Sequence, residues 1–162
     1  MRGEFERFRV ADGKAGPYGI TVGPDGGVWF TLVHAGEIGR LAADGSVRRF
    51  GTGSAASGPS VITTGPDGAL WFTELNADRI GRITVDGRVT EHPLPDRAAR
   101  PHAVAAAPDG RLWFTEWAGN RLGSLTADGH YAGYELPVPA AEPHGIAVAP
   151  DGAVYAAQEL GE

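Results

Sequence analysis

Apolar and polar positions alternate along this chain in short runs, each cut by Gly, Pro or Asp before a helical period can establish itself. The stretch from Ser60 shows the form. Ser60 to Thr64 is a β-branched run, Pro66-Asp67-Gly68 a turn, and Ala69 to Thr73 a second apolar run. Arg79 to Thr84 is a third run, Asp86-Gly87 another turn, and Arg88 to His92 a fourth. Asp-Gly supplies the positive φ that tight hairpins require, so the pattern predicts four antiparallel strands joined by tight turns.

The pattern repeats. Pro-Asp-Gly begins at Pro24, Pro66, Pro108 and Pro150, each 42 residues after the last, and an aromatic follows five residues later at Trp29, Trp71, Trp113 and Tyr155. A second Asp-Gly recurs at Asp44, Asp86 and Asp128, preceded by Ile38-Gly39-Arg40, Ile80-Gly81-Arg82 and Leu122-Gly123-Ser124. Four strands in roughly 40 to 45 residues is the period of a β-propeller blade. The expected fold is therefore all-β: a β-propeller domain over residues 1–162, with repeats near 16–57, 58–99, 100–141 and 142–162, the last incomplete. Phe5-Glu6-Arg7-Phe8 lies 42 residues before Val47-Arg48-Arg49-Phe50, which makes residues 1–10 a candidate closing strand. The third strand of the last repeat would begin near residue 164, so closure is expected to be incomplete. The ring is truncated, internally shortened, or completed by another chain.

Composition narrows the partners. A net charge of −6 argues against the phosphate backbone of a nucleic acid and leaves room for a cation. No cysteine is present, which removes disulfides and thiolate metal sites. No apolar run approaches the roughly 20 residues of a membrane-spanning helix, and Met1 to Val10 has no signal-type apolar stretch, so a cytoplasmic protein is expected.

Candidate chemistry lies where the repeats differ. The residue after the proline that opens each repeat is Tyr18, Ser60, His102 and His144; the residue before that proline is Gly16, Gly58, Arg100 and Glu142. Four residues after the second-strand aromatic stand Val33, Leu75, Trp117 and Glu159. Folding the last hairpin about Pro150-Asp151-Gly152 sets Glu142 and Pro143 beside Glu159, and first strands line a propeller's channel. Tyr18, His102, Glu142, His144 and Glu159 are thus expected at one rim. Carboxylates there suit Mg²⁺, which keeps waters and takes one or two protein carboxylates, and an imidazole suits a general base. His34, His92 and His130 are expected to be solvated. Glu74 and Glu116 read as scaffold, Asp25, Asp67, Asp109 and Asp151 as turn residues, and Trp29, Trp71 and Trp113 as inter-blade packing.

Gly16-Pro17-Tyr18-Gly19-Ile20, the recurring Trp-Phe-Thr with Ile-Gly-Arg, Arg100-Pro101-His102-Ala103, Leu112-Trp113-Phe114-Thr115-Glu116-Trp117 and Glu142-Pro143-His144-Gly145-Ile146 together resemble the virginiamycin B (streptogramin B) lyase family. The resemblance spans nearly the whole chain, and Glu-Pro-His-Gly with Glu159 downstream is its most specific part. It implies a seven-bladed propeller that linearises cyclic depsipeptide antibiotics by Mg²⁺-dependent elimination and so confers resistance. It further implies His144 as general base, His102 and Tyr18 as substrate-binding, and Glu142 and Glu159 as metal-associated. Seven repeats would need about three blades more than are present here. A non-catalytic binding scaffold and a metal-dependent lactone hydrolase are the alternative classes. Self-association to complete the ring is a further expectation.

Overall fold

The computed structural model describes residues 5–160. Its first four-stranded antiparallel sheet holds β1 (Pro17–Val22), β2 (Val28–Leu32), β3 (Glu37–Leu41) and β4 (Val47–Gly51) in chain order. The second holds β5 (Pro59–Thr64), β6 (Leu70–Glu74), β7 (Arg79–Ile83) and β8 (Val89–Pro93). The third holds β9 (Pro101–Ala106), β10 (Leu112–Glu116), β11 (Arg121–Leu125) and β12 (Tyr131–Glu135), and β13 (Pro143–Val148) pairs with β14 (Val154–Gln158) as a two-stranded sheet. There is no helix among the described residues. Each sheet is one blade, and the innermost strands β1, β5, β9 and β13 stand side by side in an arc.

The recurring motifs are explained by cross-strand contacts. In each complete blade the phenylalanine of Trp-Phe-Thr faces the glycine of the Ile-Gly-Arg segment: Phe30 faces Gly39, Phe72 faces Gly81 and Phe114 faces Gly123. A Cβ on any of these glycines would overlap the phenyl ring, so only glycine lets the ring lie flat across the strand. The aspartate of Pro-Asp-Gly does more than make a turn. Asp25 accepts from the Trp29 indole N–H at 3.0 Å and from Arg40 at 2.6 Å. Asp67 does the same with Trp71 at 3.0 Å and Arg82 at 2.7 Å. In the third blade Ser124 replaces the arginine, and Asp109 pairs instead with Arg111 at 3.6 Å.

The core lies between blades. Trp29, fully buried, packs with Ile62, Leu70, Phe72 and Ile83 of the second blade. Trp71 packs likewise with Val104, Leu112, Phe114 and Leu125 of the third. These two tryptophans are inter-blade packing, as the repeat suggested, and burying such a ring is among the largest single contributions to a core.

Two expectations need correction. His92 is not solvated: it is half-buried and stacks on Trp71, ring centroids 5.4 Å apart and planes at 24°. It occupies the fourth-strand position held by Phe50 on Trp29 at 5.8 Å and by Tyr134 on Trp113 at 5.1 Å. An aromatic caps the tryptophan in every complete blade, and in the second blade imidazole serves. Of the candidate closing strand 1–10, residues 1–4 lie outside the described residues, and residues 5–10 form no strand. A fourth strand needs a third to pair with, and the β13–β14 sheet has only two strands. Phe8 and Val10 instead lie over the first blade, where they help to line a cavity of about 300 Å³ with Tyr18, Ile20, Val28 and Phe30.

Candidate active site

Each first strand opens with an irregularity that aims one side chain at the channel rim. Pro17 faces Leu32, but Ile20 faces Phe30, so an extra residue is accommodated between them. The same shift occurs between Pro59 and Ile62, between Pro101 and Val104, and between Pro143 and Gly145. Bulges of this kind re-aim side chains. Here the bulge is held by the threonine of Trp-Phe-Thr. Thr115 Oγ1 accepts from the bulged Ala103 N–H at 3.0 Å and donates to the carbonyl of His144 in the next blade at 3.2 Å. Thr73 accepts from Val61 N–H at 3.2 Å and donates to the His102 carbonyl at 2.7 Å. Thr31 accepts from Gly19 N–H at 2.8 Å and donates to the Ser60 carbonyl at 2.6 Å. One hydroxyl thus fixes its own blade's bulge and the rim residue of the blade that follows.

That arrangement brings three of the five expected residues into direct contact. The His102 and His144 rings lie 3.8 Å apart, centroid to centroid. His102 Nδ1 stands 3.3 Å from the His144 carbonyl, and its Nε2 stands 3.5 Å from the Tyr18 hydroxyl. A carbonyl only accepts, so Nδ1 carries the proton and Nε2 offers its lone pair to Tyr18 O–H. Burial, reinforced by His144, holds His102 below the usual imidazole range and favours that neutral form. His144 is exposed, and its ring makes no hydrogen bond among the described residues. Tyr18 reaches His102 across the intervening second blade because that blade presents only Ser60, a small side chain buried against Thr73 at 2.8 Å and the His102 carbonyl at 3.2 Å.

Glu142 and Glu159 meet through the backbone: the Glu159 N–H donates to the Glu142 carbonyl at 3.2 Å. The Glu159 charge also reaches His102, where it opposes the downward shift. Two carboxylates at adjacent strand ends are hard oxygen donors of the number Mg²⁺ takes from protein while keeping its waters. No group of three or more potential ligands is gathered among the described residues. A cation at this pair would be held by at most two protein carboxylates and would complete its shell with water.

Sequence reasoning missed the threonines, whose signal was their recurrence at Thr31, Thr73 and Thr115, and it missed Ser60 as the gap that lets Tyr18 through. It also underread Glu74. That side chain is fully buried, and neither carboxylate oxygen has a hydrogen-bond partner among the described residues. Burial first, then the neighbouring Glu91 charge, pushes its pKa up to about 8. Glu116 at the equivalent position is satisfied within its blade, by Tyr131 O–H at 2.6 Å and Arg121 at 3.2 Å.

The arc of four-stranded blades, with Tyr18, His102 and His144 in contact at one rim, is a β-propeller of the streptogramin lyase type. The model of the virginiamycin B lyase family matches residues 2–162, and the chain belongs to that family. Virginiamycin B lyase of Saccharopolyspora erythraea is 60% identical over 42 residues, which are 26% of this chain and 14% of that protein. The Streptomyces coelicolor enzyme is 54% identical over 37 residues, 23% of this chain and 12% of its own. Among solved structures, Staphylococcus aureus virginiamycin B lyase superposes with a TM-score of 0.91 at 38% identity, covering 93% of this chain and 52% of that one. A catalytically inactive variant of that enzyme, solved with quinupristin, superposes with a TM-score of 0.88 at 39% identity, over 91% of this chain and 50% of its own. This chain spans about half the length of these solved lyases.

Proposed function

We propose that this chain carries the catalytic rim of a lyase that linearises streptogramin B-type cyclic depsipeptides by elimination. The observation that carries the reading is the unequal histidine pair. His102 has both ring nitrogens engaged, while His144 leans against it with its own nitrogens free and exposed. In such a substrate the ester oxygen sits β to an acidic Cα–H. His144 takes that proton and becomes imidazolium; the Cα–Cβ double bond forms as the Cβ–O bond breaks, and the bonding pair leaves on the carboxylate. The neighbouring His102 ring, held neutral, adds no positive charge that would oppose protonation of His144. With Tyr18, His102 walls the side of the channel on which the depsipeptide rests. Mg²⁺ held by Glu142 and Glu159 would supply positive charge against the negative charge that grows on the substrate carbonyl.

The test is a mass spectrum of a streptogramin B antibiotic after incubation with the protein. Elimination leaves the mass unchanged while the ring opens, hydrolysis adds one water, and a binding scaffold leaves the cyclic compound intact. His144→Ala is expected to lose about 10²–10⁴-fold in turnover, the usual worth of general acid–base catalysis, with binding retained. EDTA is expected to abolish turnover, and Glu142→Ala to weaken its Mg²⁺ dependence. His130→Ala, at an exposed position paired with Asp128, serves as control. Full elimination by His144→Ala would rule out the assignment. The reading extends to assembly: a second copy of the chain supplies the blades needed to close the ring around this rim.

A further inference from the structure

The residue before each rim proline sits in the left-handed region: Gly16 at φ 66°, Gly58 at φ 65°, Arg100 at φ 48° and Glu142 at φ 48°. Glycine occupies that slot without cost in the first two blades. A side chain there is strained, and such strain persists where function retains it. At this slot, the two blades with a side chain are the two with a rim histidine. In the last blade the slot holds Glu142 and its hydrogen-bonded neighbour is Glu159; in the third blade the same slots hold Arg100 and Trp117, joined by the same backbone bond at 3.2 Å. The Arg100 guanidinium lies 4.9 Å from the Trp117 ring centroid. It has no carboxylate partner among the described residues, although the Arg100 backbone N–H donates to Asp78 Oδ1 at 2.8 Å. The Trp117 indole N–H is buried without an acceptor among the described residues.

We infer that Arg100 and Trp117 form an anion subsite, the positive counterpart of Glu142 and Glu159, that receives the carboxylate released when the depsipeptide ring opens. This rests on the lyase reading. A cation without a counter-ion, stacked on an indole with a spare donor, suits a planar carboxylate. Arg100 is two residues from His102, as Glu142 is from His144, so the subsite lies one blade from the base. The ring ester is neutral and its opened product is anionic. Arg100 therefore discriminates between substrate and product, and it favours the bond-breaking step as charge appears on the leaving oxygen.

The experiment measures binding of cyclic quinupristin and of its linear, carboxylate-bearing opened form to wild type, Arg100→Gly and Arg100→Gln by calorimetry at low and high salt. Glycine restores the slot's ordinary residue, so Arg100→Gly is expected to keep the wild-type thermal midpoint. It should weaken the linear form by about tenfold or more, the worth of a charge-assisted hydrogen bond, and change the cyclic form by less than about threefold. The salt dependence of linear-form binding should vanish with it. Arg100→Gln should behave as Arg100→Gly does. If both variants bind the linear form as wild type does, the subsite is wrong while the lyase reading stands. A fall in thermal midpoint with both ligands weakened equally would reduce Arg100 to a structural role and overturn the subsite. If wild type binds neither ligand, the lyase reading itself fails, and the subsite with it.

Discussion

Glu74 is the residue whose environment departs furthest from what its chemistry prefers. It is a fully buried carboxyl with no hydrogen-bond partner among the described residues, beside a Glu91 carboxylate whose other oxygen is bound to Arg79 at 2.6 Å. A carboxyl pushed up to about 8 by burial and a like charge is neutral in the folded protein at pH 7. In the unfolded chain this carboxyl titrates near its ordinary value of 4.5. Between those two values the folded state binds the extra proton, so the contribution of Glu74 to stability is fully present below pH 4.5 and is lost as pH rises toward 8. Glu74→Gln removes that dependence. Its thermal midpoint is expected to exceed wild type at pH 8 and to approach it at pH 5; an unchanged gap across that range would place the proton elsewhere. This residue was not legible in the sequence. Glu74 and Glu116 share one repeat position and look alike, and only the cross-strand neighbours separate them. Where Glu116 meets Tyr131 O–H, the second blade offers Val89 and Glu91.

At the scale of the element, the repeat was legible almost to the residue. The run read as Ser60 to Thr64 is β5, Pro59–Thr64, and Ala69 to Thr73 is β6, Leu70–Glu74. Strand and turn chemistry are local, so the sequence carries them. Tyr18, His102 and His144, which the structure brings together, stand out in the sequence because their position differs between blades. The threonines that hold them do not, because a residue present in every blade looks like scaffold. His92 was misread for the reverse reason: as a histidine it looked unmatched, although its partners in the repeat are the aromatics Phe50 and Tyr134. Two substitutions test the element-level account. Thr115→Val keeps the shape but strips the Ala103 N–H and the His144 carbonyl of their hydroxyl partner. It is expected to cost about 1–3 kcal/mol in denaturant unfolding and to lower turnover more than Thr31→Val, whose carbonyl partner belongs to Ser60. Gly81→Ala drives a methyl into the Phe72 ring and is expected to destabilise by about 1–3 kcal/mol, the usual penalty for overpacking. Equal turnover in the two threonine variants would show that the hydroxyls support strands rather than the site.

At the scale of the whole molecule, the described residues leave two blade faces largely exposed, the first crossed only by Phe8 and Val10. On the first blade Ile20 is 70% exposed where its counterpart in the next blade, Ile62, is buried, and Val22 beside it is 65% exposed. On the last, Tyr155 is 62% exposed where its counterparts Trp29 and Trp71 are fully buried. Apolar faces of this kind associate. A 162-residue polypeptide of this sequence is expected to sediment above monomer mass with little sensitivity to salt, and Ile20→Asp is expected to shift it toward monomer. A monodisperse wild-type monomer would count against ring completion by a second copy.

At the rim the threonine bonds run forward: Thr31 holds Ser60, Thr73 sets His102 and Thr115 sets His144, each in the blade that follows. Such a chain of dependence has an evolutionary reading. When a blade duplicates, the copy arrives with a holder for the rim position of whatever follows it, before any reagent has been selected to stand there. New chemistry then requires one substitution at a rim that is already aligned, and losing that chemistry leaves the architecture intact.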